Sequence, residues 1–362
     1  MARLSGVSVA VVGSGVFGLT AALVLARRGA RVTLHDPAPL GDNASGVAAG
    51  MLAPAFESGL DPASAGHFPL LLRARDRWPD MLGSLGLAPA SLARDGGLFI
   101  GDAAAAAALS ARLTAAGAQI ERLDRGQALE LSPGMALGDA DEVLFAPQDW
   151  RLEPIPLLRA FHAAFRQAGG QVRGDRVRVV DGRLATADGA GLAADVVVLA
   201  AGAEAAGMAA IAPELSLLQP VKGQILHFSG GPSAGPVLRT ARGYLTPQPG
   251  GPAAGATMEP GLSDRTTDPA ALAGLRAEAE RLFPSLAGTP ARGMAGIRAA
   301  TPDGLPLVGR SAGGKKVLLC VGARRNGWLL APLAAELLAA TLAGEAAGPD
   351  ERLLDPTRFA KS

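Results

Sequence analysis

Gly13, Gly15 and Gly18 stand at the spacing GxGxxG, and Asp36 follows about 20 residues further on. Positions without a side chain let backbone N–H groups close on an anion, and a carboxylate at that distance accepts hydrogen bonds from a ribose. The chemistry such a set can do is the holding of a dinucleotide. Gly13 permits the tight turn, Gly15 lets the backbone approach a pyrophosphate, and Gly18 lets a helix pack closely on a strand. An acid at 36 in place of a base argues against a 2′-phosphate on that ribose.

Such a set works only with a strand before it and a helix after it. Residues 9–12, Val-Ala-Val-Val, read as a short buried strand, and the apolar run 19–26 reads as a helix whose N-terminus faces phosphate. Residues 31–35 read as a second strand ending at Asp36. Beyond a loop at 37–46, the small residues of 47–54 suit either an ordinary helix start or a bed for a flat ring. Periodicity then predicts an amphipathic helix over 70–85 interrupted at Pro79, a strand at 97–100 and a helix over 102–115. A helix end follows at 127–131, and another helix runs over 154–168.

Strands at 171–180 and 194–199 return the chain to the first core. The second of these is almost wholly apolar, as a central parallel strand requires, and Ala201-Gly202 after it bring backbone back to the dinucleotide. From Pro220 the texture changes to short strands broken by Gly and Pro, at 224–228, 244–247, 255–258 and 295–297, with one helix over 269–283. The last elements are strands at 305–309 and 317–321 and a helix over 328–343.

The 362 residues are 49% apolar and 19% charged, which supports two packed cores and excludes a disordered chain. With a formal net charge of +1 and scattered basic residues, nucleic acid and anionic membranes are poor partners. The lone cysteine, Cys320, lies in an apolar run, which indicates an inert buried thiol and a reducing, cytoplasmic setting. The histidines show no ligand spacing, so no metal site is expected. No run reaches the about 18 apolar residues of a membrane span. Cleavage of the apolar N-terminus as a signal peptide would remove the glycine turn, so the stretch reads as part of the mature protein.

Over nearly its whole length the sequence resembles the D-amino-acid oxidase superfamily of FAD proteins, and within it the bacterial glycine oxidases associated with thiamine biosynthesis. The resemblance is carried by the glycine turn, Ala48-Ala49-Gly50-Met51-Leu52-Ala53-Pro54, Leu199-Ala200-Ala201-Gly202-Ala203 and Pro220-Val221-Lys222-Gly223-Gln224. It continues through Gly255-Ala256-Thr257-Met258-Glu259, Gly296-Ile297-Arg298, Thr301-Pro302-Asp303-Gly304 and Arg325-Asn326-Gly327. It implies an α/β fold: a Rossmann-like FAD-binding domain of residues 1–84, 148–219 and 298–362, and a mixed-sheet α+β substrate domain of residues 85–147 and 220–297.

By position in those motifs, the resemblance implies FAD contacts from Val16, Phe17, Asp36, Ala44, Ser45, Ala49, Gly50, Met51 and Val177. To these it adds Ala323, Arg324, Arg325, Asn326, Gly327, Trp328 and Leu329. It also implies that Arg298 clamps a substrate carboxylate, that Tyr244 is its phenolic partner and that Arg325 stands beside the flavin. Met258, Glu57 and Ala49 would line the substrate pocket. In part the residues support this themselves, because a planar carboxylate is matched by the forked donors of arginine. From spacing alone, however, an arginine such as Arg298 is more often a surface ion pair, and a lone tyrosine such as Tyr244 more often packing. Asp303-Gly304 reads as a turn.

The activity implied is oxidation of the Cα–N bond of glycine or a small D- or secondary amino acid, giving an imine, then a 2-oxo acid, ammonia and hydrogen peroxide. The partners implied are a small amino acid and dioxygen or another electron acceptor, with homo-oligomerisation left open. The sequence departs from the glycine oxidases at Ala323, where they carry histidine, and Trp328 adds bulk nearby. Two further readings therefore stand beside the oxidase: a dehydrogenase that uses another acceptor, and a flavin-binding subunit of a larger complex.

Overall fold

The computed structural model describes residues 4–346 and 348–360. Strand Ser8–Val12 forms the middle of a six-stranded sheet, because its Val and Ala side chains are covered on both faces. Parallel neighbours Arg31–His35 and Val196–Leu199 flank it, and Gln171–Arg173 extends one side. On the other side Val317–Val321 adds a parallel strand and Leu307–Arg310 an antiparallel edge.

Helix Val16–Arg27 and the C-terminal helix Gly327–Ala343 share one core, in which Leu19, Leu23, Leu330 and Leu338 are fully buried. Each such side chain contributes about 1.5–3 kcal/mol by leaving water. Two helix N-termini are thereby fixed beside the C-terminal ends of the central strands, where open α/β sheets bind ligands. Cys320 is fully buried in this core, and burial pushes its thiol far up. No helix among the described residues is long and apolar enough to cross a membrane.

A nine-stranded sheet stands beside the first. Its longest members, Gln219–Phe228 and Ala291–Ala300, pair antiparallel along their whole length, Gly223 opposite Gly296 and Val221 opposite Arg298. Both exceed the strands expected at 224–228 and 295–297, because Gly and polar residues weaken the local strand signal while the pairing supplies the order. Ala291–Ala300 also runs past the expected boundary at 298, so Arg298 belongs to this second sheet.

Other expectations shift for local reasons. The stretch 171–180 breaks after Arg173, and Val177–Val180 forms a separate hairpin with Arg183–Thr186. The helix expected over 70–85 is two helices, Phe68–Arg75 and Trp78–Ser84, with Pro79 in the first turn of the second, where its missing N–H costs nothing. The strand expected at 255–258 ends at Gly255.

Candidate active site

The turn at Gly13 is built from space that a side chain would fill. Gly13 has φ of +106°, and a Cβ there would lie 2.5 Å from the Ala200 carbonyl oxygen; one at Gly18 would lie 1.8 Å from the Gly13 oxygen. Gly15 is the N-cap of helix Val16–Arg27 and offers no side chain to its amides. The Val16 N–H instead donates to Ser45 Oγ at 3.0 Å. Asn43 caps the next short helix by accepting from the Ser45 and Gly46 amides, which fixes Ala44 and Ser45 against the turn.

Asp36 lies at the end of its strand as expected, and its carboxylate accepts from the Ser14 amide at 2.7 Å and the Ala38 amide at 2.8 Å. One carboxylate thus ties the glycine turn to the second strand. Val177 is buried with Val12 and Leu199, and Ala201-Gly202 lie where the chain passes the Gly13 turn.

A cavity opens in front of these elements. Val16, Ala44, Ser45, Ala49, Gly50 and Met51 line one part of it, and Tyr244, Met258 and Arg298 another. Glu57 and the run Arg324 to Trp328 complete the wall. The cavity therefore brings together residues from both groups implied by the sequence. Gly13, Gly15, Phe17, Gly18, Asp36, Val177, Ala201, Gly202, Ala323 and Leu329 lie outside its lining.

The second sheet aims Arg298 by register. Residues two apart across paired strands are diagonal neighbours on one face, so Arg298, opposite Val221, reaches over Gly223. A Cβ on Gly223 would sit 2.1 Å from Arg298 Nη1. Gly255 does the same for Tyr244, its direct cross-strand partner: a Cβ there would sit 2.5 Å from the phenolic oxygen. Glycine at 223 and 255 is thus the condition for both polar heads to lie in the cavity. Neither position stands out in the sequence as a site residue.

Arg298 Nη1 donates to the Thr257 carbonyl at 3.1 Å and approaches Met258 Sδ at 3.2 Å. Among the described residues it has no acidic partner, and burial lowers its pKa. A half-buried guanidinium without a counter-ion is a site for an anion. Burial pushes the Tyr244 phenol up and so keeps it protonated, as a donor toward the same space.

The other arginines each reach an acid, two of them the same one. Glu57 Oε1 accepts from Arg239 Nη1 at 2.9 Å and from Arg325 Nη2 at 3.1 Å, while Glu57 Oε2 has no partner. Burial opposes ionisation of Glu57, but Arg325 and Arg239 outweigh it and hold the carboxyl below its usual range. Arg324 pairs with the buried Asp61. Arg239 and Asp61 stand behind the wall and carry no local motif that would single them out.

Trp328 turns its bulk into the protein: its Nε1–H donates to the Ser45 carbonyl at 3.0 Å, and its ring meets Trp78 at a centroid distance of 6.0 Å. Gly327 lines the cavity and begins the helix Gly327–Ala343, so that helix's positive end faces that space. Glycine turn, adjoining helix N-terminus and flat bed of small residues together fit a flavin dinucleotide in which the ring system reaches Arg298.

Comparison with known proteins agrees with this fit. A family model described as FAD dependent oxidoreductase matches residues 8–341. Glycine oxidase of Geobacillus kaustophilus is 29% identical over 91% of both chains, and a crystal structure of that species' enzyme superposes with a TM-score of 0.86, covering 98% of this chain and 100% of the other. Iminodiacetate oxidase from Chelativorans sp. BNC1 superposes with a TM-score of 0.83 at 26% identity, over 96% of this chain and 98% of that one. A tRNA 5-methylaminomethyl-2-thiouridine biosynthesis bifunctional protein from Maricaulis maris is 32% identical over 98% of this chain and 55% of its own length. The chain belongs to the FAD-dependent oxidoreductase family that includes the glycine oxidases, and its cofactor is FAD.

Proposed function

We propose that the protein oxidises the Cα–N bond of glycine or a small D- or secondary amino acid, yielding an imine that hydrolyses to a 2-oxo acid and ammonia, with reduction of dioxygen to hydrogen peroxide. The observation that carries this reading is Arg298, a guanidinium without an acid partner in the wall of the cavity that the glycine turn adjoins. The names of the three compared proteins share a carbon bound to an amine nitrogen, and two of them name an amino acid carboxylate.

When bound, FAD supplies a two-electron acceptor for the hydride on the substrate's Cα. The residues that would hold it are Gly13, Gly15, Val16, Phe17 and Gly18 at the turn, Asp36 at the ribose, and Ala44, Ser45, Ala49, Gly50 and Met51 along the bed. Val177, Ala201, Gly202 and the run Ala323 to Leu329 complete the set. Arg298 and Tyr244 fix the carboxylate, and this sets which face of Cα is presented. Met258, against the guanidinium, limits the room for a side chain. No side-chain base is required when the amine enters neutral. The helix opening at Gly327 favours negative charge gained at the neighbouring ring. The sheets also support the discontinuous division proposed from the sequence, with one unit for FAD and one for substrate.

A peroxide-release screen of the purified yellow protein over glycine, sarcosine and D-amino acids tests the proposal. Saturable peroxide release with at least one of them is expected. Flavin reduction without peroxide would select the dehydrogenase, and no reduction by any of them would leave a flavin-binding subunit.

A further inference from the structure

The charges around the cavity do not balance for a substrate with one acid group. Among the described residues, Arg298, Arg324 and Arg325 line it against a single acid, Glu57. The residues behind the wall leave the surplus unchanged: Asp61 answers Arg324, while Arg239 draws on the same Glu57 oxygen that Arg325 uses. One carboxylate is thus divided between two guanidiniums. Asp149, the nearest other buried acid, is outside the lining, is occupied by the Ala55 and Phe56 amides, and is pushed up to about 7 by burial. Burying unmatched guanidinium charge is unfavourable unless an anion arrives to meet it.

Resting on the proposed function, we infer that the preferred substrate is an amine bearing two acid groups, such as an N-carboxymethyl amino acid, and that Arg325 is its specificity-determining residue. Arg298 holds the carboxylate next to the carbon that is oxidised. Arg325 Nη2 donates to Glu57 Oε1, its other donors have no hydrogen-bond partner among the described residues, and the residue lines the cavity, so they are open to a second acid. Electroneutrality then holds for the loaded site, as it does not for glycine.

The test uses oxidation-inert acids on the FAD-loaded protein. Diglycolate copies a two-acid secondary amine with ether oxygen for nitrogen, and methoxyacetate copies the one-acid counterpart. Their dissociation constants are read by calorimetry. The protein should bind diglycolate about tenfold or more tightly than methoxyacetate, as one added charge-assisted pair predicts. Arg325→Gln should erase most of that ratio, and Arg325→Lys, which keeps the charge, should preserve much of it. In turnover, iminodiacetate should exceed sarcosine in kcat/KM by a similar factor.

Equal binding of the two acids by the parent, or an Arg325→Gln variant that weakens both alike, overturns the inference and assigns Arg325 to the flavin instead. Arg298→Gln separates the two levels of argument. If it loses methoxyacetate as well as diglycolate, the carboxylate clamp stands whatever becomes of the second acid. If it binds both as the parent does, the proposed function itself fails. Should Arg325→Gln not fold with FAD, the Lys variant and the parent's diglycolate-to-methoxyacetate ratio decide.

Discussion

The glycine turn and the Arg298 end of the cavity are made in different ways. At the glycine turn, the proposed contacts are backbone, and the sequence's contribution is to remove side chains at Gly13, Gly15 and Gly18. At the Arg298 end, the proposed contacts are long charged side chains, from strand Ala291–Ala300, helix Pro54–Leu60 and the segment 324–325, held by partners far along the chain. The first tolerates almost no added atom; the second tolerates small changes of shape but not of charge. That difference sets what each kind of substitution should do.

The largest effect is expected at the turn. Gly18→Val would place its Cβ 1.8 Å from a backbone oxygen that cannot move aside, so the protein should purify colourless, with no flavin released on denaturation. A yellow variant would show that the turn does not hold the cofactor.

At the other end, Arg298→Met should keep FAD but lower kcat/KM by about 10³-fold, the cost of losing a desolvated, charge-assisted pair of about 4 kcal/mol. Steady-state kinetics at matched flavin content measure it. Glu57→Gln should leave Arg239 and Arg325 without their shared acid and destabilise the fold by about 3 kcal/mol, seen as a lower denaturation midpoint. A stability unchanged by that substitution would mean that the two guanidiniums are satisfied elsewhere.

Tyr244→Phe removes one neutral donor and should raise KM about tenfold with little change in stability. Stability should also depend on pH. Burial raises Asp149 from an ordinary 3.8 to about 7, so between those values the folded state holds a proton that the unfolded state has lost. The protein should therefore lose stability as pH rises through that window, by on the order of 1 kcal/mol per pH unit, and Asp149→Asn should flatten the slope. Denaturation midpoints across the range check the sign.

The same difference explains what the sequence allowed to be read. The turn was readable because glycine spacing, strand and helix are contiguous, and each glycine's role is local. Asp36 was found for the same reason, although its present partners are the Ser14 and Ala38 amides. Arg298 and Tyr244 were reached through family resemblance. The glycines that admit them, Gly223 and Gly255, have meaning only once the strands are in register. Arg239 gave no signal at all, since its partner Glu57 lies 182 residues away and a lone arginine in the short strand Val237–Thr240 looks like an exposed edge residue. The break after Arg173 falls at Gly174-Asp175-Arg176, a turn signal that outweighs the strand propensity of the valines on either side.

The central claim is that Arg298 presents an amino acid's carboxylate to the flavin. Anaerobic stopped-flow mixing of the FAD-loaded protein with glycine, sarcosine and D-alanine, followed at the visible flavin band, tests it most directly. Saturable bleaching with at least one of these amines is expected, with loss of that saturation in Arg298→Met. Bleaching that saturates identically in parent and variant, or no bleaching by any amine carrying a carboxylate, would contradict it.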